Sequence, residues 1–468
     1  MNSPWKALLT IILLVLSTDS VAFATESATE TMINSGDTAW VLISAALVFF
    51  MIPGLAFFYG GMVRSKNVLG TIMQSFFLIA IISIEWILIG YTMAFGDDIN
   101  GFIGSFSKAG LAGITVDTSM GSIPELAFVA FQCMFASLTP ALITGSFAGR
   151  MRFPAFIIFS LLWSILIYNL MAHWVWGGGW LANLGALDFA GGLVIHILSG
   201  ISGLVLCLMI GKRKGYGKYP MLPHHLPMVI LGASILCIGW FGFNAGSALG
   251  ANGLAANAFI VSQAAAAAGT IAWVLVEWFN HGKPTLFGAA SGCIAGLVAI
   301  TPAAGFVTAL PAVIIGLVAG IICYFAVAII KNKLGYDDSL DVFGIHGISG
   351  IWGAIATGLW ATTAVNPDGA NGLFYENSEL LLIQVLSVLV AIIFAAVGTF
   401  VIVKGMSIFM KIRVNEDEEA AGLDLSQHGE RGYEEKFLVG DAFASNPSFN
   451  RQFNLNTKSN FNKESEVF

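Results

Sequence analysis

The sequence predicts an all-α polytopic membrane protein, with eleven transmembrane helices built as an inverted five-helix repeat plus a long, tilted eleventh helix. Three observations carry this. Only 10% of the 468 residues are charged and 57% are apolar, whereas a soluble domain is about a quarter charged. Eleven apolar runs follow one another, each of about the 20 residues needed to cross a bilayer core of roughly 30 Å. Finally, IHILSGISG (195–203) returns as IHGISGIWG (345–353), with seven of nine positions identical or exchanging leucine for isoleucine around a central histidine.

The elements follow in order. Lys6, the apolar stretch ALLTIILLVL (7–16) and the small-x-small site Ala22-Phe23-Ala24 read as a secretory signal over 1–24, too short to span and leaving the mature N-terminus outside. The membrane domain occupies 25–411. Its apolar runs fall at 38–61, 69–95, 123–148, 154–176, 189–211, 225–246, 255–280, 284–303, 306–330, 340–364 and 379–410. Alternate loops test the count, because cytoplasmic loops are basic. VRSKN, GRMR, GKRKGYGK, HGK, KNKLGYDD and KIR are basic, while the intervening loops hold one lysine, Lys108, among several acids. The topology is therefore N-out and C-in. The eleventh run, some 32 residues or about 48 Å of helix, is too long to stand upright in the bilayer. Beyond it, 412–468 form a polar cytoplasmic tail, acidic at first and then rich in Asn, Ser and Phe, with its second half expected to be disordered. The net charge of −7 lies in loops and tail, and names no partner.

The copied histidine motif closes the fifth run and then the tenth. A repeat with an odd number of spans must be inverted in the membrane, and inverted repeats place a transporter's site at the midplane. His196 lies about eight residues inside the outer end of its run, roughly 12 Å, and His346 about six inside the inner end of its own, roughly 9 Å. The two approach the middle from opposite faces.

Ionisable residues within membrane runs are costly and mark function. The short list is Asp188, His196, His346, Glu85 and Glu277. Neutral imidazole is the cheapest of these to bury, and two imidazoles can satisfy each other, one ring nitrogen donating to the next. Two histidines without a third ligand leave zinc or iron underligated, and no P-loop, HExxH or nucleophile elbow is present. Nothing points to an enzyme, a cofactor or nucleic acid. Cys133, Cys207, Cys237, Cys293 and Cys323 lie in apolar runs without CxxC spacing and read as packing residues. The GxxxG pairs Gly292/Gly296 and Gly316/Gly320 likewise read as close helix packing.

MAHWVWGGGWLANLGALDFAGGLVIH (171–196), IGWFGFNAGS (238–247) and DVFGIHGISGI (341–351), with FYGGMVRSKN (58–67) and GLDLSQHGERGY (422–433), closely resemble the ammonium transporter family (Amt/Mep), relatives of the Rh proteins. The resemblance covers about 38–433 in the family's order and points to a bacterial Amt-type member of the cell (inner) membrane. It implies a homotrimer with one path per subunit, carrying ammonium or ammonia and possible substrates such as methylammonium. It also implies twin pore histidines at His196 and His346, and an outer recruitment site of Phe131, Phe135, Trp176 and Ser247. Phe135 and Phe243 would stack as a gate, Asp188 would be the buried carboxylate near the outer site, and Asn244 and Trp240 share the segment of Phe243. The tail segment resembles one that docks on the inner face, where bacterial members bind trimeric PII signalling proteins.

Under that resemblance, ammonium is recruited at the aromatic site, deprotonated, and conducted as ammonia past the histidines, with its proton carried alongside. Asp188 either takes that proton or orients backbone amides as a helix N-cap. The rival readings are an Rh-like channel for neutral gas, which the aromatic cation site with Trp176 disfavours, and an ammonium sensor acting through the tail. Three positions depart from the family pattern. Leu193 stands where Thr is frequent, Gly149-Arg150 replaces the usual Glu-Arg, and Glu85 replaces an apolar residue as either an interhelical hydrogen-bonder or an added proton site.

Overall fold

The computed structural model describes residues 33–433; the signal-like segment and the last part of the tail lie outside the described residues. In chain order the helices are α1 Ser35–Met62, α2 Ser65–Phe95, α3 Glu125–Phe147, α4 Phe153–Leu184, α5 Gly192–Ile210, α6 Leu226–Gly246, α7 Gly253–His281, α8 Leu286–Ile300, α9 Ala309–Leu334, α10 Ile348–Trp360, α11 Ser378–Phe409 and the short α12 Glu416–Ala421. Among the described residues nine of these, all but α8, α10 and α12, are long and apolar enough to cross a membrane. The chain is an all-α polytopic membrane protein.

Local chemistry sets the helix ends. Side chains of Asn34, Asn252, Thr285 and Asn377 accept backbone N–H groups in the first turns of α1, α7, α8 and α11, supplying partners those groups lack within the helix. Glu277, counted above among the membrane acids, sits near the end of α7 and accepts the N–H (2.9 Å) and hydroxyl (3.0 Å) of Thr285, tying the turn into α8. That is a loop-closing role. Between α2 and α3 the chain forms two small antiparallel hairpins, Asp98–Ile99 with Ile103–Gly104 and Ser119–Met120 with Ile123–Pro124.

Small residues let the helices cross closely. Gly316 and Gly320 of α9, and Gly292 and Gly296 of α8, all lie on the backbone of α7 around Ala265 and Gly269; a Cβ on Gly316 would come within 2.2 Å of the Ala265 oxygen. Any larger side chain would force these helices apart.

At the end carrying the tail, a buried charge cluster joins α3, α5 and α9. Arg150 is fully buried and reaches Asp337 (3.5 Å), the Asp337 carbonyl and the Ser339 hydroxyl (2.6 Å), while Arg213 holds the same carboxylate at 2.6 Å. Gly149 precedes it at φ +80, a left-handed backbone, and a Cβ there would meet the Asn67 amide at 2.7 Å. Glutamate cannot occupy that position without strain, and Asp337 supplies the carboxylate instead. Burial pushes the Arg150 guanidinium down to about 10, against the pull of Asp337. Burial alone would raise the Asp337 carboxyl, but Arg213 and Arg150 hold it below the usual carboxylate range. Its contribution is therefore present above that range and lost as pH falls through the lowered value. Asp337→Ala strands a buried guanidinium, so we expect a loss of about 3–5 kcal/mol. A thermal melt of the solubilised protein checks this, and an unchanged midpoint contradicts it.

The tail packs against this end. Glu419 is buried, pairs with Arg413 (2.7 Å) and accepts the Lys214 N–H (2.6 Å). Lys66 donates to the Glu419 and Ala420 carbonyls. Asp424 caps α2 by accepting the N–H groups of Leu69 (3.1 Å) and Gly70 (2.8 Å).

Candidate functional site

At the end opposite the tail, a cavity of about 670 Å³ opens among α3, α4, α6 and the loops after α8 and α10. Phe135, Trp176 and Ser247 line it, with Gln132 and Phe189, and Asp368 stands exposed at its rim. Trp176 stands edge-on to Phe135 (6.3 Å, 89°), and its indole N–H donates to the Asp188 carbonyl at 2.7 Å. The Ser247 hydroxyl donates back to the Phe243 carbonyl at 2.8 Å, so the lone pairs of its oxygen remain available to a guest.

The cavity floor is Phe135 over Phe243, ring centroids 4.4 Å apart and tilted by 30°. Both rings are almost wholly buried. Phe131 lies behind this floor, fully buried against Phe135 (4.7 Å) and over Gly246, where it braces the ring above. The wall of α3 places Gln132 on the cavity in its stead.

Behind Phe243 come the histidines. The His196 ring stacks 6.0 Å from Phe243 and 5.6 Å from Trp240, and those two rings are 5.5 Å from each other, so the three form a triangle. The His346 ring follows, nearly coplanar at 14°, with Nδ1 of each ring 3.3 Å apart. One Nδ1 must donate and the other accept. The pair therefore ends in one Nε2 that accepts and one that donates, and Nε2 of His196 is buried with no partner among the described residues. Trp176, Phe135, Phe243, His196 and His346 form a continuous file of rings.

The copied motif explains how two helices can meet here. Gly200, four residues after His196, lies on Gly347, one residue after His346; a Cβ would come within 2.3 Å. Gly350, four after His346, lies on Ile197, one after His196, at 3.1 Å. Each copy supplies the glycine that admits the other. Both histidines also lie in π turns, Gly192–Ile197 and Phe343–Gly347, where one extra residue per turn redirects the side chains. Counted from its π turn, at Gly192 and at Phe343, each helix starts three residues later than its apolar run, so each histidine lies in the first turn of a helix that begins inside the protein.

Asp188 explains the first start. Its carboxylate accepts four backbone N–H groups, Gly191 (2.8 Å) and Gly192 (2.6 Å) on one oxygen, Leu193 (2.7 Å) and Val194 (3.2 Å) on the other. This needs no hydroxyl at position 193, so leucine there leaves the carboxylate fully partnered. A second aspartate stands at the same spacing. Asp338 is eight residues before His346 as Asp188 is before His196, is fully buried, and accepts the Phe343 N–H at 2.8 Å. Burial pushes its carboxyl up to about 6, against the pull of Lys331. The signal for Asp338 in the sequence is this shared spacing, which extends the two copies beyond their nine matched residues. Near it, at the tail end, a second cavity of about 340 Å³ is lined by Arg213, Tyr216, Lys331 and Asp341.

Two further polar residues lie off this file. Asn244 donates to Ser262 at 2.8 Å. Glu85 accepts from Asn169 (2.7 Å) and Ser164 (3.3 Å), between two π turns of α2 and α4, and Gly90 leaves space for its carboxyl. These partners tie α2 to α4. We expect Glu85→Gln to preserve both hydrogen bonds and conduct as wild type in reconstituted vesicles; loss of current would assign the carboxyl a part in transport.

Comparison with known proteins gives a consistent answer. The model of the Ammonium Transporter Family matches residues 39–433. An ammonium transporter of Bacillus subtilis is 54% identical over 402 residues, covering 86% of this chain and 99% of its own. The crystal structure of Saccharomyces cerevisiae Mep2 superposes with a TM-score of 0.80 at 35% identity, covering 87% of this chain and 94% of that one. A solved structure described as a sensor Amt protein matches with a TM-score of 0.78 at 27% identity, covering 84% and 98%.

Proposed function

Because this chain belongs to the ammonium transporter family, we propose that it recruits ammonium at the Trp176 cavity, removes a proton there, and conducts ammonia past the twin histidines. The proton crosses with it. The observation that carries this is the hydrogen-bonded pair of His196 and His346, sealed from the cavity by Phe135 and Phe243.

A cation over the faces of Trp176 and Phe135 gains about 0.5–2 kcal/mol, and the Ser247 oxygen replaces one water. Neither contact separates ammonium from potassium, which resembles it in size and charge. Surrendering a proton does, because ammonium is an acid and potassium is not. Ammonia then crosses without the desolvation cost of a whole cation. The imidazole pair offers a donor and an acceptor to ammonia, and relays a proton between nitrogens with little change in net charge. Asp188 in this scheme holds the amides at the start of α5, since both its oxygens are already occupied.

Around this path we place eleven spans, α1–α11, as two inverted five-helix halves. The reciprocal Gly200–Gly347 and Gly350–Ile197 contacts and the paired Asp188 and Asp338 support that symmetry. The alternating loop charges support N-out and C-in in the cell (inner) membrane, with the Trp176 cavity outside. The assembly is a homotrimer, and the docked tail, resting on α2 through Asp424, is the surface on which a PII-type protein would act. The likeness to a sensor Amt protein favours one second reading, an ammonium sensor that signals through this tail. The experiment is the current from purified protein in liposomes on an ammonium jump, with a potassium jump as control. Ammonium current without potassium current is the expected result; silence to both leaves the sensor.

A further inference from the structure

The wall of the Trp176 cavity holds a polar side chain with no hydrogen-bond partner among the described residues. Along α3 the residues facing the cavity are Phe128, Gln132 and Phe135, on one helical face at i, i+4 and i+7. The two phenylalanines suit an apolar wall. Gln132 does not: it is 9% exposed, and its carboxamide oxygen is buried without a hydrogen-bond partner. Leucine or methionine would fill that space without burying an amide, which is unfavourable unless the amide is used.

We propose that Gln132 is a second hydrogen-bond acceptor of the outer cation site, its amide oxygen taking one N–H of ammonium alongside Ser247. The inference rests on the ammonium-transport reading. Ammonium brings four N–H donors in a tetrahedron, and in water each has an acceptor. At the cavity floor the rings of Phe135 and Trp176 attract charge but accept N–H only weakly. Ser247 takes one N–H with the lone pairs left by its bond to Phe243. The Gln132 oxygen, on the same wall one turn from Phe135, takes another once the amide turns about its terminal bond. Asp368 at the rim attracts cations at longer range but stands in solvent. Among the described residues none bonds the amide oxygen, which is left for a guest that arrives and departs.

The test is the concentration dependence of ammonium current for wild type, Gln132→Leu and Gln132→Glu in the same liposomes. Leucine is expected to raise the half-saturating concentration about tenfold, the loss of one charge-assisted hydrogen bond, with the maximal current kept. Glutamate, of the same shape but anionic, is expected to lower it several-fold. Half-saturation within about twofold of wild type in both variants overturns the proposal. So does a lost maximal current at unchanged half-saturation, which is the signature of a packing role. If the leucine variant fails to assemble, the near-isosteric glutamate variant decides alone. A wild type that carries no ammonium current removes the transport reading and this inference with it, whereas a conducting wild type with indifferent variants removes the inference only.

Discussion

His196→Leu and His346→Leu are each expected to reduce ammonium current by about 100-fold or more, or to let potassium share the path. Leucine keeps the bulk and the apolar surface but removes every ring nitrogen. The remaining histidine then loses its 3.3 Å contact, so the nitrogen-to-nitrogen relay is broken and ammonia keeps only one imidazole between the Phe243 ring and the tail-end cavity. A cation that stays whole pays at least about 2.5–3.5 kcal/mol near the bilayer centre, roughly a 100-fold rate penalty. If the leucine variant instead leaves a wider, wetter path, the proton-dependent filter is gone and potassium should follow ammonium. Current and potassium exclusion both unchanged in the two variants would falsify the role of the pair. Replacing one histidine by glutamate separates polarity from relay, since a carboxylate also carries a proton but brings a charge.

The second large effect is expected at Asp188. Its two oxygens satisfy four buried backbone N–H groups at the start of α5, and His196 sits within the two turns that follow. Asp188→Ala leaves all four without partners. With about 1–3 kcal/mol for each unsatisfied group, partly recovered by water, a loss of at least about 4 kcal/mol and failure to assemble are expected. Asp188→Asn is the more telling variant. Its amide nitrogen would face two N–H groups as a donor against donors, so both melting temperature and ammonium current should fall. A group that served only as proton acceptor would lose current in the asparagine variant while melting as wild type. Melting curves read beside currents distinguish the two.

Much of the frame was legible because membrane helices advertise themselves by length and hydropathy. The run 38–61 is α1, 123–148 is α3, and 225–246 is α6 to within three residues at each end. The copied histidine motif was legible too, since the glycines that admit each helix lie inside the copy itself. What was not legible depends on contacts between distant segments. The π turns at Gly192–Ile197 and Phe343–Gly347 each follow a buried aspartate that accepts backbone amides, four at Asp188 and that of Phe343 at Asp338, and hydropathy is blind to them. α4 continues past the break at Gly177–Gly179 to Leu184, where the N–H groups of Gly177 and Gly179 return to the Ala172 and His173 carbonyls, and hydropathy does not reveal it. Phe131 and Gln132 are neighbours in sequence, and only the roll of α3 decides that the glutamine, rather than the phenylalanine, meets the cavity. Resemblance assigned Phe131, Phe135 and Trp176 to a recruitment site and Phe135 with Phe243 to a gate, but which of these rings meets the cavity is a property of the folded helices.

The most direct test of proton surrender and recapture is the ratio of charge to nitrogen. Labelled ammonium uptake and integrated current, measured in the same proteoliposomes at zero imposed potential, are expected to give about one elementary charge per nitrogen, with no charge moved by potassium. Uptake of nitrogen with no accompanying charge would contradict it and make the protein a channel for neutral ammonia.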